Sequence, residues 1–440
     1  MEYDKILSET YSVCPACLKR IKAQRILAGK EVRLQKQCPE HGQFSTVIWR
    51  GEVDIEEWIG DVEPLRDGEN EGCPDNCGIC SSHRQGTCCT LLEVTSRCNL
   101  SCHFCFADNN KRPEPSFEQV CQWIKQLAEP GKTLLQLSGG EPTLRDDLPD
   151  IVAAAVKAGC RYVQLNTNGL RLAGDKGYVR SLAEAGLSFV FMQFDGTDDD
   201  IYSSLRGRPL LELKQQAIAN CSEFNIGVTL VPTLVPGINT YNIGDIIRFA
   251  AANSPAVRGV HFQPVSYFGR IPELPGDEMR FTLDELLWQI KEQAGGMVKL
   301  EDFLPSSCDH PLCGFHGDFI SLGDKLVPLT KRSPRNGIKN RECCCSTTPA
   351  DRNREFVARR WKRQSSVCCE TGCESESLDL ESMEGFLQKV RSNGFTITAM
   401  AFQDAGNLDL ERLCRCSLHV FVGGRLVPFC RYYLSDWSSI

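Results

Sequence analysis

The cysteines constrain this chain more than any other feature. Thr95 to Asn109 reads TSRCNLSCHFCFADN, which sets Cys98, Cys102 and Cys105 at C-x3-C-x2-C directly after the apolar run TLLEVT. Of 25 cysteines in 440 residues, only Cys121, Cys160 and Cys221 stand alone in apolar helix or strand patterns, as small buried hydrophobes. Disulfide scaffolds are normally secreted chains under about 100 residues, whereas clustered cysteines in a longer cytosolic chain point to metal or catalysis. Metal binding is the expectation. MEYDKILSETYS lacks the basic-then-apolar order of a signal peptide, and no run of about 18 apolar residues occurs. A cytoplasmic protein without a transmembrane segment is therefore expected. A net charge of −8 argues against nucleic acid as a partner.

Residues 1–60 form a first unit, read as a short loop unit with little core, and the acidic stretch 60–72 reads as a linker. Residues 73–89 hold a second cysteine cluster. From 90 to 265 six short apolar runs, at 90–95, 133–139, 161–167, 187–195, 227–235 and 257–264, act as strands. Helix-period segments at 116–128, 147–158, 176–185, 210–222 and 241–252 separate them, the first opening on a capping box of Ser116 and Gln119. Alternation of this kind predicts an α/β fold, a partial (β/α)6 TIM-like barrel with right-handed crossovers. Residues 266–440 lose the alternation and read as a Cys-rich auxiliary unit. Helices are expected there at 281–294 and 377–392, and a hairpin near 418–430.

Functional groups of such barrels gather at the C-terminal ends of the strands. The first strand end carries Cys98, Cys102 and Cys105. Three thiolates leave one position of a four-iron cluster open, as a catalytic metal site requires. The competing reading is a zinc knuckle with a distant fourth ligand. The second strand end carries SGGEPTL, in which Ser138 precedes Gly139 and Gly140, whose backbone permits close approach, and Glu141 offers a carboxylate to an ammonium or hydroxyl. NTNG with Asn168 follows the third strand, QFDG with Asp195 the fourth, and Arg206 comes soon after. Polar groups thus converge on one mouth.

Three further constellations could hold metal. CPAC and CPEHG give Cys14, Cys17, Cys38 and His41, a tetrahedral set for zinc or rubredoxin-like iron. Cys73, Cys77, Cys80 and then Cys88 or Cys89 supply four thiolates for a closed [4Fe-4S] cluster, with Cys88 favoured and His83 read as a neighbour of the ligands rather than one of them. The C-terminal third holds eleven cysteines. Among these, Cys308, Cys313, Cys416 and Cys430 are candidate ligands of a further cluster. Adjacent thiols such as Cys343–Cys345 chelate one metal poorly, so some of them are free or redox-active.

The C-x3-C-x2-C loop in register with SGGEP resembles the radical SAM superfamily. The resemblance implies that Cys98, Cys102 and Cys105 hold a [4Fe-4S] cluster whose open iron takes the amino and carboxylate groups of S-adenosylmethionine. It implies an adenine contact for Phe104, a methionyl-amino site at Gly139, Gly140 and Glu141, and ribose or carboxylate contacts for Asn168, Asp195 and Arg206. The family's Gly-x-Ile-x-Gly motif has no clear match in GVTLVPTLVPGIN. Reductive cleavage to methionine and a 5′-deoxyadenosyl radical, which abstracts hydrogen from an unactivated C–H bond, is the implied chemistry. The flanking cysteine patterns, with FQPVSYFGR and MAFQDAGNLDLERL, resemble the tetraether lipid synthase-like group and most closely the radical SAM (seleno)protein TrsS family. That likeness implies C–C or C–S bond formation on a lipid, peptide or small molecule, and one or two auxiliary [4Fe-4S] clusters. It further implies a reductant such as flavodoxin or ferredoxin, and a companion methyltransferase. The alternatives are an iron–sulfur electron carrier or redox sensor, and a maturase docking an acidic partner through the Arg/Lys group at 352–363.

Overall fold

The computed structural model describes residues 5–63, 72–74, 82–102, 104–105, 113–268, 275–323, 325–332, 354, 360–363 and 392–434. The N-terminal unit is a sheet rather than loops: β1 (Lys5–Val13), β2 (Arg20–Ala28), β3 (Glu31–Cys38) and β4 (Gly42–Trp49) form an antiparallel meander. Its inward rows run Ile21, Ala23, Arg25 on β2 and Val32, Leu34, Lys36, Cys38 on β3. Two of those buried positions are charged, which hides the period-two pattern on which a strand assignment rests. A short helix α1 (Ile55–Ile59), capped by Asp54, closes the unit.

The predicted alternation is present. Strands β5 (Cys89–Thr95), β6 (Leu134–Gly139), β7 (Tyr162–Thr167), β8 (Phe189–Gln193), β9 (Gly227–Val231) and β11 (Val257–Pro264) lie parallel and in chain order, with a two-residue β10 (Thr233–Leu234) on β11. Their crossovers are α2 (Phe117–Leu127), α3 (Leu148–Lys157), α4 (Leu170–Gly174), α5 (Lys176–Glu184), α6 (Asp199–Arg206), α7 (Leu211–Glu223) and α8 (Ile243–Ala252). Ser116 caps α2 by accepting from the Gln119 amide at 3.2 Å. Helices α4 and α6 were not expected. For α6 the signals exist, since Asp198 caps it, Asp199 and Asp200 fill its first turn, and Gly207 ends it at φ +81°.

The C-terminal third adds α9 (Leu283–Gln293), β12 (Leu304–Pro305), β13 (Gly314–Leu322), β14 (Lys325–Pro328), β15 (Gly394–Met400), α10 (Leu410–Leu413), β16 (Leu418–Val422), β17 (Arg425–Pro428) and α11 (Phe429–Leu434). Its strands extend the barrel sheet at both edges. β15 pairs parallel with β11 and carries β13, while β16 pairs parallel with β5 and turns into the expected hairpin with β17. The two ends of the sheet meet where Asp309 accepts from the Ser417 amide at 2.7 Å. Trp361 closes the barrel's lower end against Phe189 and Phe191, and its indole N–H donates to Thr396. Arg354 donates to the Cys88 carbonyl, Arg360 to Asp318 and Arg363 to the Ser222 carbonyl, so these members of the 352–363 group face the barrel rather than a partner. The expected helix at 377–392 lies outside the described residues. Among those described, no helix is long and apolar enough to cross a membrane.

Candidate active site and metal centres

The loop after β5 and the segment after β6 are built as one piece. Gly140 N donates to Thr95 O at 2.9 Å and Glu141 N to Arg97 O at 2.7 Å. A Cβ on Gly139, whose φ is +125°, would lie 2.2 Å from Thr95 O, and one on Gly140 would lie 2.1 Å from Arg97 O. The glycines are required because the second strand end braces the cysteine loop at backbone contact. Glu141 is 1% exposed. Its Oε1 accepts from Thr143 N, Thr143 Oγ1 and Thr167 Oγ1, and its Oε2 from Asn168 N at 2.6 Å. Oε1 is therefore saturated, and only Oε2 keeps a lone pair for an ammonium.

Cys98, Cys102 and Cys105 line one mouth of a cavity of about 360 Å³, together with Phe104, Ser138 and Asn168. Burial pushes the Cys98 thiol up to about 11. Arg206 reaches this mouth from the last turn of α6. Its Nη1 donates to Cys102 Sγ at 3.1 Å, while Nε and Nη2 form a bidentate pair with Asp195 at 2.8 and 2.9 Å. The guanidinium lies 4.6 Å over the Phe104 ring. Asp195 is thus not placed as expected for a ribose contact. It sits fully buried behind Arg206, also accepts from Thr233 N and Gln193, and does not line the cavity. Arg206 consumes its carboxylate because a buried guanidinium needs a counter-charge.

Asn168 is shared. It donates to Asn99 at 2.7 Å, its side-chain oxygen accepts from the Leu170 amide, and its carbonyl accepts from Lys214 Nζ at 2.6 Å. Lys214 escaped the sequence reading. It is fully buried on α7, reaches Gln193 Oε1 at 3.4 Å, and burial pushes its ammonium down to about 7. A lysine in an otherwise half-apolar helix gives no sign of which way it points. Three thiols around an open mouth, a cradle that admits no side chain, and one remaining Glu141 lone pair fit a three-cysteine cluster with S-adenosylmethionine.

Cys14, Cys17, Cys38 and His41 converge, with all four ligand atoms within 4.8 Å of one another. His41 Nδ1 lies 3.7 Å from Cys14 Sγ and 3.5 Å from Cys38 Sγ. Burial pushes the Cys14 thiol up, but hydrogen bonds from Cys17 and Ala16 outweigh it and lower it, favouring the thiolate a metal needs. Cys14 and Cys17 sit in the β1–β2 turn of the ribbon, and Cys38 and His41 at the β3–β4 turn.

Cys88 and Cys308 are hydrogen-bond neighbours at the seam of the sheet. Asp309 lies electrostatically close to Cys313, Cys416 and Cys430, and Arg412 donates to Cys313 Sγ at 3.4 Å. Cys73 packs against the apolar cluster that contains Cys430. The two expected auxiliary sets thus approach each other, while Cys89 turns into the barrel floor. His83 Nε2 lies 2.7 Å from the Cys416 carbonyl oxygen. Cys77, Cys80, Cys343–Cys345, Cys368, Cys369 and Cys373 lie outside the described residues.

Residues 92–250 match the radical SAM superfamily, and residues 6–50 match the HMPTM N-terminal zinc ribbon domain. The 7,8-dihydro-6-hydroxymethylpterin dimethyltransferase of Methanocaldococcus jannaschii is 34% identical over 470 residues, which is 96% of this chain and 93% of that protein. This chain belongs to the radical SAM superfamily. A probable GTP 3′,8-cyclase of Methanothermobacter thermautotrophicus is 30% identical over 161 residues, covering 36% of this chain and 52% of the cyclase. Streptococcus suis SuiB bound to precursor peptide SuiA aligns with a TM-score of 0.35 at 16% identity, over 41% of this chain and 40% of that chain. As a radical SAM enzyme the chain works with a [4Fe-4S] cluster and S-adenosylmethionine.

Proposed function

We propose that this enzyme abstracts hydrogen from an unactivated C–H bond of a flat, nitrogen-rich heterocycle held inside the barrel, and that the product carries a new C–C or C–S bond. The middle layer of the interior carries this reading. Gln136 donates to Gln164 at 3.2 Å and Gln164 to Asn166 at 2.7 Å, and all three line the cavity beside Phe191. Amides present donors and acceptors side by side, the complement of a pterin edge, and an aromatic ring offers a stacking face. The dimethyltransferase relative, whose name specifies a pterin, points the same way.

When bound and reduced, the cluster supplies the electron that breaks the sulfonium C–S bond. In this reading Cys98, Cys102 and Cys105 hold the cluster, and Phe104, Ser138, Gly139, Gly140, Glu141, Asn168 and Arg206 surround S-adenosylmethionine. Asp195 acts through Arg206. Trp361 and Phe189 keep water out from below. Cys14, Cys17, Cys38 and His41 hold zinc or a rubredoxin-like iron. Cys73, Cys88, Cys308, Cys313, Cys416 and Cys430 contribute to one or two auxiliary clusters, together with Cys77 and Cys80. Flavodoxin or ferredoxin as electron donor, a companion methyltransferase, a cytoplasmic setting and the narrower TrsS likeness belong to the same proposal.

A second reading, an acyl chain as substrate, draws on the apolar cavity wall of Leu91, Phe268, Phe402 and Phe429. Anaerobically reduced enzyme given S-adenosylmethionine and 7,8-dihydro-6-hydroxymethylpterin deuterated at its sp3 carbons separates the two. Deuterium in 5′-deoxyadenosine supports the heterocycle. Deuterium arriving only from a perdeuterated acyl phospholipid replaces it with the lipid.

A further inference from the structure

Three neighbouring strands place His261 on β11, Thr398 on β15 and His316 on β13 in one row, because Thr398 is in register with both histidines. All three residues line the cavity. His261 on β11 stands three strands round the sheet from β7, which carries Gln164 and Asn166 of the amide layer.

His261 Nδ1 lies 2.8 Å from Thr398 Oγ1, which also lies 3.4 Å from the Val260 carbonyl. With the Thr398 proton given to that carbonyl, the hydroxyl accepts from His261, the ring proton is on Nδ1, and Nε2 is left as an acceptor. The ring is held on another side by Phe191, at 5.5 Å between centroids. Burial pushes the imidazole down to about 4, so it is neutral across the physiological range. A buried histidine is usually satisfied at both nitrogens. Here Nε2 has no hydrogen-bond partner among the described residues. An acceptor without a donor inside an enclosed site selects a ligand that brings one.

We propose that His261 Nε2 accepts a hydrogen bond from an N–H or O–H donor on the substrate, a specificity-determining contact that fixes which carbon faces the cysteine mouth. It rests on the heterocycle reading above and narrows it, since a saturated acyl chain carries no such donor.

The test uses full-length, anaerobically reconstituted enzyme and fluorescence binding of 7,8-dihydro-6-hydroxymethylpterin. His261→Phe keeps a ring and removes the acceptor, and should weaken binding about 10-fold or more. His261→Gln restores a polar atom near the Nε2 position and should stay within about 3-fold of wild type, a hydrogen bond to a replacement acceptor recovering most of the loss. Undiminished binding by His261→Phe, or equal loss in the two variants, overturns the proposal alone. Wild-type enzyme that releases 5′-deoxyadenosine yet binds no pterin overturns the heterocycle reading and this contact with it. A pterin series methylated in turn at each ring N–H, dimethylated at the exocyclic amine and O-methylated at the hydroxymethyl group, which deletes each donor in turn, asks the same question of the wild type without any variant. One member should bind at least about 10-fold more weakly, and equal binding by all members overturns the contact.

Discussion

Arg206 shows how one side chain can tie a cluster ligand to the barrel. It bonds Cys102 sulfur with one arm and Asp195 with the other two nitrogens, and both members of the ion pair are buried, at 8% and 0% side-chain exposure. A charge-assisted donor on a ligand sulfur stabilises the reduced, more negative cluster. Lysine keeps the charge but cannot serve sulfur and carboxylate together. Arg206→Lys should therefore lower the cluster midpoint in an EPR-monitored titration and slow 5′-deoxyadenosine release by about 10- to 100-fold, the usual scale for partners of metal ligands. An unchanged midpoint would remove Arg206 from this role. The sequence placed Arg206, Asp195 and Cys102 at the same mouth, because strand ends converge in such barrels. That Arg206 and Asp195 serve each other was not legible, since the pairing depends on α6 carrying Arg206 back over the fourth strand end.

At the scale of elements, the N-terminal ribbon is clamped to the segment that precedes the C-terminal cysteines. Arg25 bonds Asp409 and Glu411 in a buried group, Ser12 donates to the Leu408 carbonyl, and Lys36 to that of Ala405. On its other side the Arg50 amide donates to Asp284 at the start of α9. Burial raises the Asp284 carboxyl to about 6, against the opposing hydrogen bonds of Thr282 and the Arg50 amide. The folded value lies above the unfolded one, so its contribution is present below about pH 4 and lost as pH rises through 6. Asp284→Asn should thus gain on the wild type by up to about 3 kcal/mol between pH 4 and 7, because each tenfold loss of acidity on folding is worth about 1.4 kcal/mol. Urea unfolding across that range measures it, and parallel pH profiles would contradict it. The metal knuckles of this ribbon were legible from four ligands and their spacing. Its strands were not, because Arg25 and Lys36 occupy inward positions that a hydrophobic pattern reads as outward.

For the whole molecule, the sheet carries its own chamber. Parallel strands β15 and β16 flank the barrel, the loop before β13 meets the start of β16 at Asp309 and Ser417, and Trp361 forms the floor. Trp361→Ala should cost about 3–5 kcal/mol of stability, as truncation of a buried aromatic does, and should raise 5′-deoxyadenosine release that is not coupled to product. Coupled turnover at wild-type yield would contradict the sealing role. The barrel itself was readable from six apolar runs, whereas β13, β15 and β16 joining it at the edges depends on long-range pairing that no local pattern carries. The central claim is that the three-cysteine loop is the site where S-adenosylmethionine is cleaved. Anaerobically reduced wild type supplied with S-adenosylmethionine should form 5′-deoxyadenosine and methionine, and Cys102→Ala should form none while keeping its N-terminal metal. Equal 5′-deoxyadenosine from the two proteins would contradict the account.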